Sequence, residues 1–92
     1  MNIFSMNDCD WVAAESPESA IAYYLDMISE KDTPENRAEY LEEPIVPLDA
    51  ADMNKLRFND TDENKVRSFR EQLDLEIARG QKFPCFFAST EY

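Results

Sequence analysis

One glycine in 92 residues constrains this chain more than any other feature. Glycine is the default residue wherever the backbone turns left-handed, so a chain with one has few free choices of where to place such a turn. Gly80 stands just past Arg79, at the end of a helical pattern that begins at Ser68. Ser68-Phe69-Arg70-Glu71 reads as a capping box, the Ser oxygen taking the N3 amide and the Glu reaching back. Phe69, Leu73 and Ile77 recur on one face, with Leu75 and Ala78 adding breadth. A helix opened by that box and closed by a glycine C-cap is predicted over 68–79. The lone glycine also excludes phosphate-cradling loops, because the Walker and dinucleotide patterns each need several.

Proline punctuates the rest. Ser16-Pro17 and Thr33-Pro34 pair a capping hydroxyl with a proline at the first helical position. The first helix is predicted to run to about Ser29, with Ile21, Tyr24, Leu25 and Ile28 on its apolar stripe. The second is predicted to reach about Glu43 and stop at Pro44, with a thin apolar face of Ala38, Tyr40 and Leu41, so it should lie on the outside of the domain. Pro44-Ile45-Val46-Pro47 is an extended connector. Asp49 caps a short third helix that runs to Leu56, and Asn59 to Asn64 reads as a polar turn.

Strands are expected at residues 2–7 and 11–15, joined by the turn residues Asp8-Cys9-Asp10, and at Phe83 to Ala88, a nearly continuous apolar run read as buried on both faces. The predicted fold is a single α+β domain over 1–92. A small antiparallel or mixed sheet, made of the N-terminal hairpin and the C-terminal strand, packs with three to four helices, chiefly the first and the last. Hydrophobic residues are 43% and aromatics 12%, enough for a core of its own.

Composition removes whole classes of chemistry. Histidine is absent, which excludes a Ser-His-Asp triad, an imidazole base and a His metal ligand. Cys9 and Cys85 are far apart in the chain and form no Cys-x-x-Cys pair, and zinc would need four such ligands. No cofactor is expected and no enzyme activity is assigned. Apolar runs are short, and Met1-Asn2-Ile3-Phe4 has no basic n-region, so the expected place is the cytoplasm, with free thiols. A Cys9–Cys85 bridge would need the two ends of the chain to meet.

Charge is the strongest functional signal. Twenty Asp and Glu against nine Lys and Arg leave a net charge of -11. Residues 1–50 hold 12 acids and 2 bases, while residues 51–92 hold 8 and 7. Such a field repels phosphates and anionic membranes and speeds encounter with a basic partner. The candidate partner-binding residues are Tyr23, Asp26, Glu30, Asp32, Glu35, Glu39, Tyr40, Glu42 and Glu43. Like charges at i,i+4, as in Asp26/Glu30 and Glu35/Glu39, oppose helix formation by a few tenths of a kcal/mol per pair. Two readings account for this: a solvated face that keeps a small protein soluble, or a surface that competes for a nucleic-acid groove. One helical stripe offers a charge about every 6 Å, against about 1.7 Å for duplex DNA, so two adjacent acidic helices imitate it better than one. Tyr23 and Tyr40 lie beside the acids as candidate anchors, while Trp11 and Tyr24 are read as core.

Two other constellations compete with simpler accounts. Asp60, Asp62, Asn64, Ser68 and Glu71 fall on calcium-loop positions 1, 3, 5, 9 and 12, yet Lys65 stands where that loop needs Gly. A turn followed by a capping box explains the same residues. Asp8, Asp10 and Glu15 cluster near the hairpin as paired carboxylates would, but Asp is a turn former and the chain leaves little room for a cleft.

Met6-Asn7-Asp8-Cys9-Asp10-Trp11 and Phe83-Pro84-Cys85-Phe86-Phe87-Ala88-Ser89-Thr90-Glu91-Tyr92 resemble the ends of small proteins carried by bacteriophages and prophages. Neither segment is a functional motif, so the resemblance implies a context and assigns no site residue. Proteins of this size and charge in that context include anti-CRISPR proteins and other inhibitors of host defence, several of them DNA mimics. The resemblance therefore implies a stoichiometric inhibitor whose acidic face occludes a basic nucleic-acid-binding protein, such as a CRISPR effector complex. The alternative is a small phage structural or adaptor module whose acids only solubilise it.

Overall fold

The computed structural model describes residues 1–7, 9–42, 44–60 and 65–89. Over these residues it is an α+β fold with four helices and two small antiparallel sheets. The chain groups into two compact units, one of residues 1–47 with 83–92 and one of residues 48–82.

The first unit is built on a three-stranded sheet. β1 (Asn2–Ser5) and β2 (Asp10–Ala14) form the expected hairpin, and β5 (Cys85–Ser89) adds antiparallel to β2, in the order β1-β2-β5. The pairing slips between Trp11 and Val12, where Phe86 and Ala88 of β5 face consecutive residues of β2. That bulge changes the reading of the last strand. β5 is an edge strand of this sheet, and because Cys85 and Phe87 are buried but Phe86 is exposed it is not covered on both faces.

α1 (Pro17–Met27) starts as its sequence dictates, Ser16 accepting the Ser19 amide at 3.2 Å. Ala20, Ile21, Tyr24 and Leu25 are buried and join Phe4, Val12 and Ala14 in the core. Trp11, read as core, is only half-buried. The end of α1 is a Schellman motif: the Ser29 amide bonds the Asp26 carbonyl at 3.0 Å and the Glu30 amide bonds the Leu25 carbonyl at 2.9 Å. Ser29 carries the left-handed φ of 62° that such a motif needs, without being glycine.

α2 (Pro34–Tyr40) opens on Thr33, whose hydroxyl accepts the Asn36 amide at 3.2 Å. It ends earlier than predicted and buries no residue of its own. Leu41 turns extended and is buried, and the next amide, of Glu42, bonds the Met6 carbonyl at 2.8 Å beyond the end of β1. Core burial and a long-range hydrogen bond together outweigh one more turn of an exposed acidic helix. In the connector that follows, Ile45 is buried and Pro47 forms an isolated antiparallel bridge with Phe4.

The second unit contains α3 (Ala50–Lys55), capped by Asp49, then β3 (Arg57–Asp60), β4 (Lys65–Ser68) and α4 (Phe69–Ala78). β3 and β4 pair antiparallel, where the sequence reading had placed only a polar turn at Asn59 to Asn64. Ser68 ends β4 and caps α4, accepting the Glu71 amide at 3.1 Å. Gly80, at φ 79°, closes the helix as expected, with Gly80 bonding Ile77 and Gln81 bonding Glu76. The predicted apolar face holds only in the first turns. Phe69, Gln72 and Leu73 are buried, while Ile77 is 47% exposed. Within this unit α4 packs against α3, β3 and β4.

The two Schellman caps make a paired prediction. A non-glycine residue in the left-handed region is strained by about 1–2 kcal/mol. Ser29→Gly relieves that strain against an entropic cost of about 0.5–1 kcal/mol, and should therefore leave a modest net stabilisation. Gly80→Ala should destabilise by about 1 kcal/mol, through φ alone, because an added Cβ meets nothing within 4 Å. Urea denaturation of both variants reads the two opposite signs.

Candidate functional site

The acidic surface is assembled by the first unit. Between them its residues hold 12 acids and 2 bases, while residues 48–82 hold 8 and 7. The imbalance seen along the sequence thus follows the division into units, with net charges of -10 and -1.

The nine candidate residues have different fates. Glu35 and Glu39 stand exposed on α2, and Asp26 stands exposed near the end of α1. Because α1 ends at Met27, the expected Asp26/Glu30 helical pair does not form. Glu30 instead turns toward α2, where its carboxylate accepts the Tyr40 hydroxyl at 3.2 Å and lies 3.5 Å from the Asn36 amide nitrogen. Bonding to the Glu30 carboxylate, with its negative charge alongside, raises the Tyr40 phenol above its ordinary value. Asp32 is held by Arg37 in a two-pronged ion pair, one prong the 2.9 Å bond from Nη2 to Oδ2. The Arg37 hydrogen bond lowers the Asp32 carboxyl below its usual value. Arg37 also lies 3.6 Å from Glu18 of α1. Glu42 is exposed, and its amide fixes the chain to Met6. Glu43, like Tyr92, lies outside the described residues.

The two aromatic candidates have engaged hydroxyls. Tyr23 is half-buried and packs on the core, and its oxygen accepts the Phe86 backbone N–H at 3.2 Å. Tyr40 also packs on the core, and its carbonyl accepts from Asn7 at 3.2 Å.

Asn7 is the residue that sequence reasoning missed. Its Oδ1 accepts the amides of Cys9 (2.9 Å) and Asp10 (3.0 Å), which closes the β1–β2 turn. Its Nδ2 donates to the Tyr24 hydroxyl at 2.8 Å and to the Tyr40 carbonyl. The Tyr24 hydroxyl in turn donates to Asp10 at 2.6 Å. Burial, then the bond to Asp10, pushes the Tyr24 phenol up to about 12. One amide therefore joins the hairpin, α1 and α2, and the acidic face rests on it. The local signal was an Asn two and three residues ahead of the amides it captures. Arg37 had a signal too, as one of only two bases in residues 1–50.

The competing constellations are described only in part. Asp10 is occupied by Tyr24, Glu15 is exposed, and Asp8 lies outside the described residues. The calcium-loop segment follows β3, where that loop would be entered from a helix, and contains β4; Asp62 and Asn64 lie outside the described residues. Among the described residues no group of three or more Cys, Asp or Glu is placed to hold a metal ion. Neither Cys9 nor Cys85 is part of a disulfide. The register sets Cys85 opposite Ala13 and Ser89 opposite Asp10. That separates the thiols by roughly 13 Å along the strand, out of disulfide reach. Among the described residues no helix is long and apolar enough to cross a membrane.

Compared with known protein families, with curated proteins and with solved structures, the chain matches none.

Proposed function

We propose that this protein is a stoichiometric inhibitor whose acidic face occludes a basic nucleic-acid-binding site on a host defence effector, in the manner of a phage-encoded DNA mimic or anti-CRISPR protein. It acts by occupying a groove and makes or breaks no bond. The observation that carries this reading is the segregation of charge, -10 on the unit that bears α1 and α2 against -1 on the other. A solubilising charge has no need to be confined to one unit.

Two adjacent helices supply the field. Asp26 and Glu18 lie on α1, and Glu35 and Glu39 on α2, with Glu42 just beyond. Arg37 ties α2 to α1 through Glu18 while giving up Asp32 as a free charge. The recognition is electrostatic, so it gains on-rate and partner choice more than affinity.

Competition tests the proposal. Added to a CRISPR effector complex loaded with labelled DNA, the protein should release the label at one equivalent, less effectively as salt rises. Label retained across a panel of basic nucleic-acid-binding effectors at low salt would refute the reading.

A further inference from the structure

The acidic face has an apolar margin. On α1 two rows of side chains run side by side at i,i+4 spacing: Glu18, Ala22 and Asp26, all exposed, and Ser19, Tyr23 and Met27 beside them. Met27 is 42% exposed. The Tyr23 hydroxyl reaches the Phe86 amide on β5, and the Phe86 side chain is 37% exposed. Phe86 stands opposite Val12, a core residue packed with α1, so it belongs to the α1 side of the sheet. Tyr23 thus links Met27, one turn along α1, to Phe86, whose amide it holds, along the border of the acidic row.

We propose that this margin is the apolar anchor of the docking face, and that its occupant is a cationic amphipathic segment of the protein partner, basic side chains alternating with large apolar ones. The inference rests on the functional reading above and names the chemistry of the partner. Charge complementarity selects the occupant. Asp26 favours Lys and Arg beside the apolar row, as does Glu18 to the extent that it is not shared with Arg37, whereas a second copy would bring another -11 to the same surface. Met27 suits a segment of variable shape, since its thioether chain is unbranched and adaptable. The Phe86 amide is already bonded to Tyr23, so at that position the occupant docks through side chains and not as an added strand.

The test uses the full chain and two synthetic peptides of equal positive charge, a helix-forming Lys/Leu peptide and an oligolysine, followed by fluorescence anisotropy. The Lys/Leu peptide should bind about tenfold more tightly. Met27→Ser with Phe86→Ser should erase that difference and leave oligolysine binding unchanged. Met27→Ser alone, at an exposed helical position, should remove part of it. If oligolysine binds and the Lys/Leu peptide binds no better, the anchor is overturned and the electrostatic reading survives. If neither peptide binds, both fall. Self-association of the parent that disappears in the double variant would assign the margin to a second copy and also overturn the inference.

Discussion

Replacing Asn7 with alanine is expected to destabilise the protein by about 2–4 kcal/mol, since four hydrogen bonds of about 1 kcal/mol each meet at one side chain. That is a large fraction of the roughly 5–15 kcal/mol available to a small domain, and it should lower the melting temperature by on the order of 10 °C or more. Alanine leaves the amides of Cys9 and Asp10 and the carbonyl of Tyr40 without this partner. Aspartate keeps the first two bonds and sets a carboxylate oxygen against the Tyr40 carbonyl and the Tyr24 oxygen, so it isolates the loss on the Nδ2 side. A double-mutant cycle of Asn7→Ala with Tyr24→Phe should show a coupling of about 0.5–3 kcal/mol. The network also has an alkaline limit. The Tyr24 phenol is raised from its ordinary value of 10.0 to about 12, so its contribution is complete below pH 10 and is lost as pH rises through 12. Tyr24→Phe should remove that step. An Asn7→Ala variant within about 0.5 kcal/mol of the parent, the range of ordinary surface substitutions, would contradict the account of how the acidic face is held.

The second large effect concerns binding. Asp26→Lys, Glu35→Lys and Glu39→Lys together change the net charge from -11 to -5 and reverse the sign of three exposed positions on the two helices. Affinity for a basic groove should fall by about a hundredfold or more, because each like-charge juxtaposition at an interface is strongly unfavourable. The fold should survive. None of the three is buried, and Lys near the C-terminus of α1 suits the helix dipole better than Asp26 does. The complementary change, Glu30→Gln, alters a residue already bonded to Tyr40 and should matter much less to binding.

How far the sequence reveals this arrangement depends on the range of the interactions. Helix starts are local chemistry, so Ser16-Pro17, Thr33-Pro34, Asp49 and the Ser68/Glu71 box each mark a helix that forms where they predict. The N-terminal hairpin and β5 follow from apolar runs. The β3–β4 hairpin was illegible because Arg57-Phe58-Asn59-Asp60 and Lys65-Val66-Arg67-Ser68 have one apolar residue each, and backbone pairing carries no side-chain signature. The early end of α2 was hidden for a related reason, since Leu41 and Glu42 answer to the core and to Met6, some 35 residues away.

The candidate site divides in the same way. Its charge asymmetry is a matter of counting, and the exposed acids Asp26, Glu35 and Glu39 were within reach of the helical pattern. Which acids are tied was not. Glu30 meets Tyr40, and Asp32 meets Arg37, only because the chain turns left-handed at Ser29 and doubles back into α2. The hydroxyls of Tyr23 and Tyr40 are engaged by the Phe86 amide and the Glu30 carboxylate, bonds that no local pattern announces.

The most direct test of the occluding role is an affinity capture from bacterial lysate, run with the parent and the Asp26/Glu35/Glu39 reversal variant side by side at low and high salt. The expected result is one basic nucleic-acid-handling protein retained by the parent at low salt, released at high salt and absent with the variant. A partner held equally by both proteins at both salt concentrations would contradict the account and make the acidic face a matter of solubility.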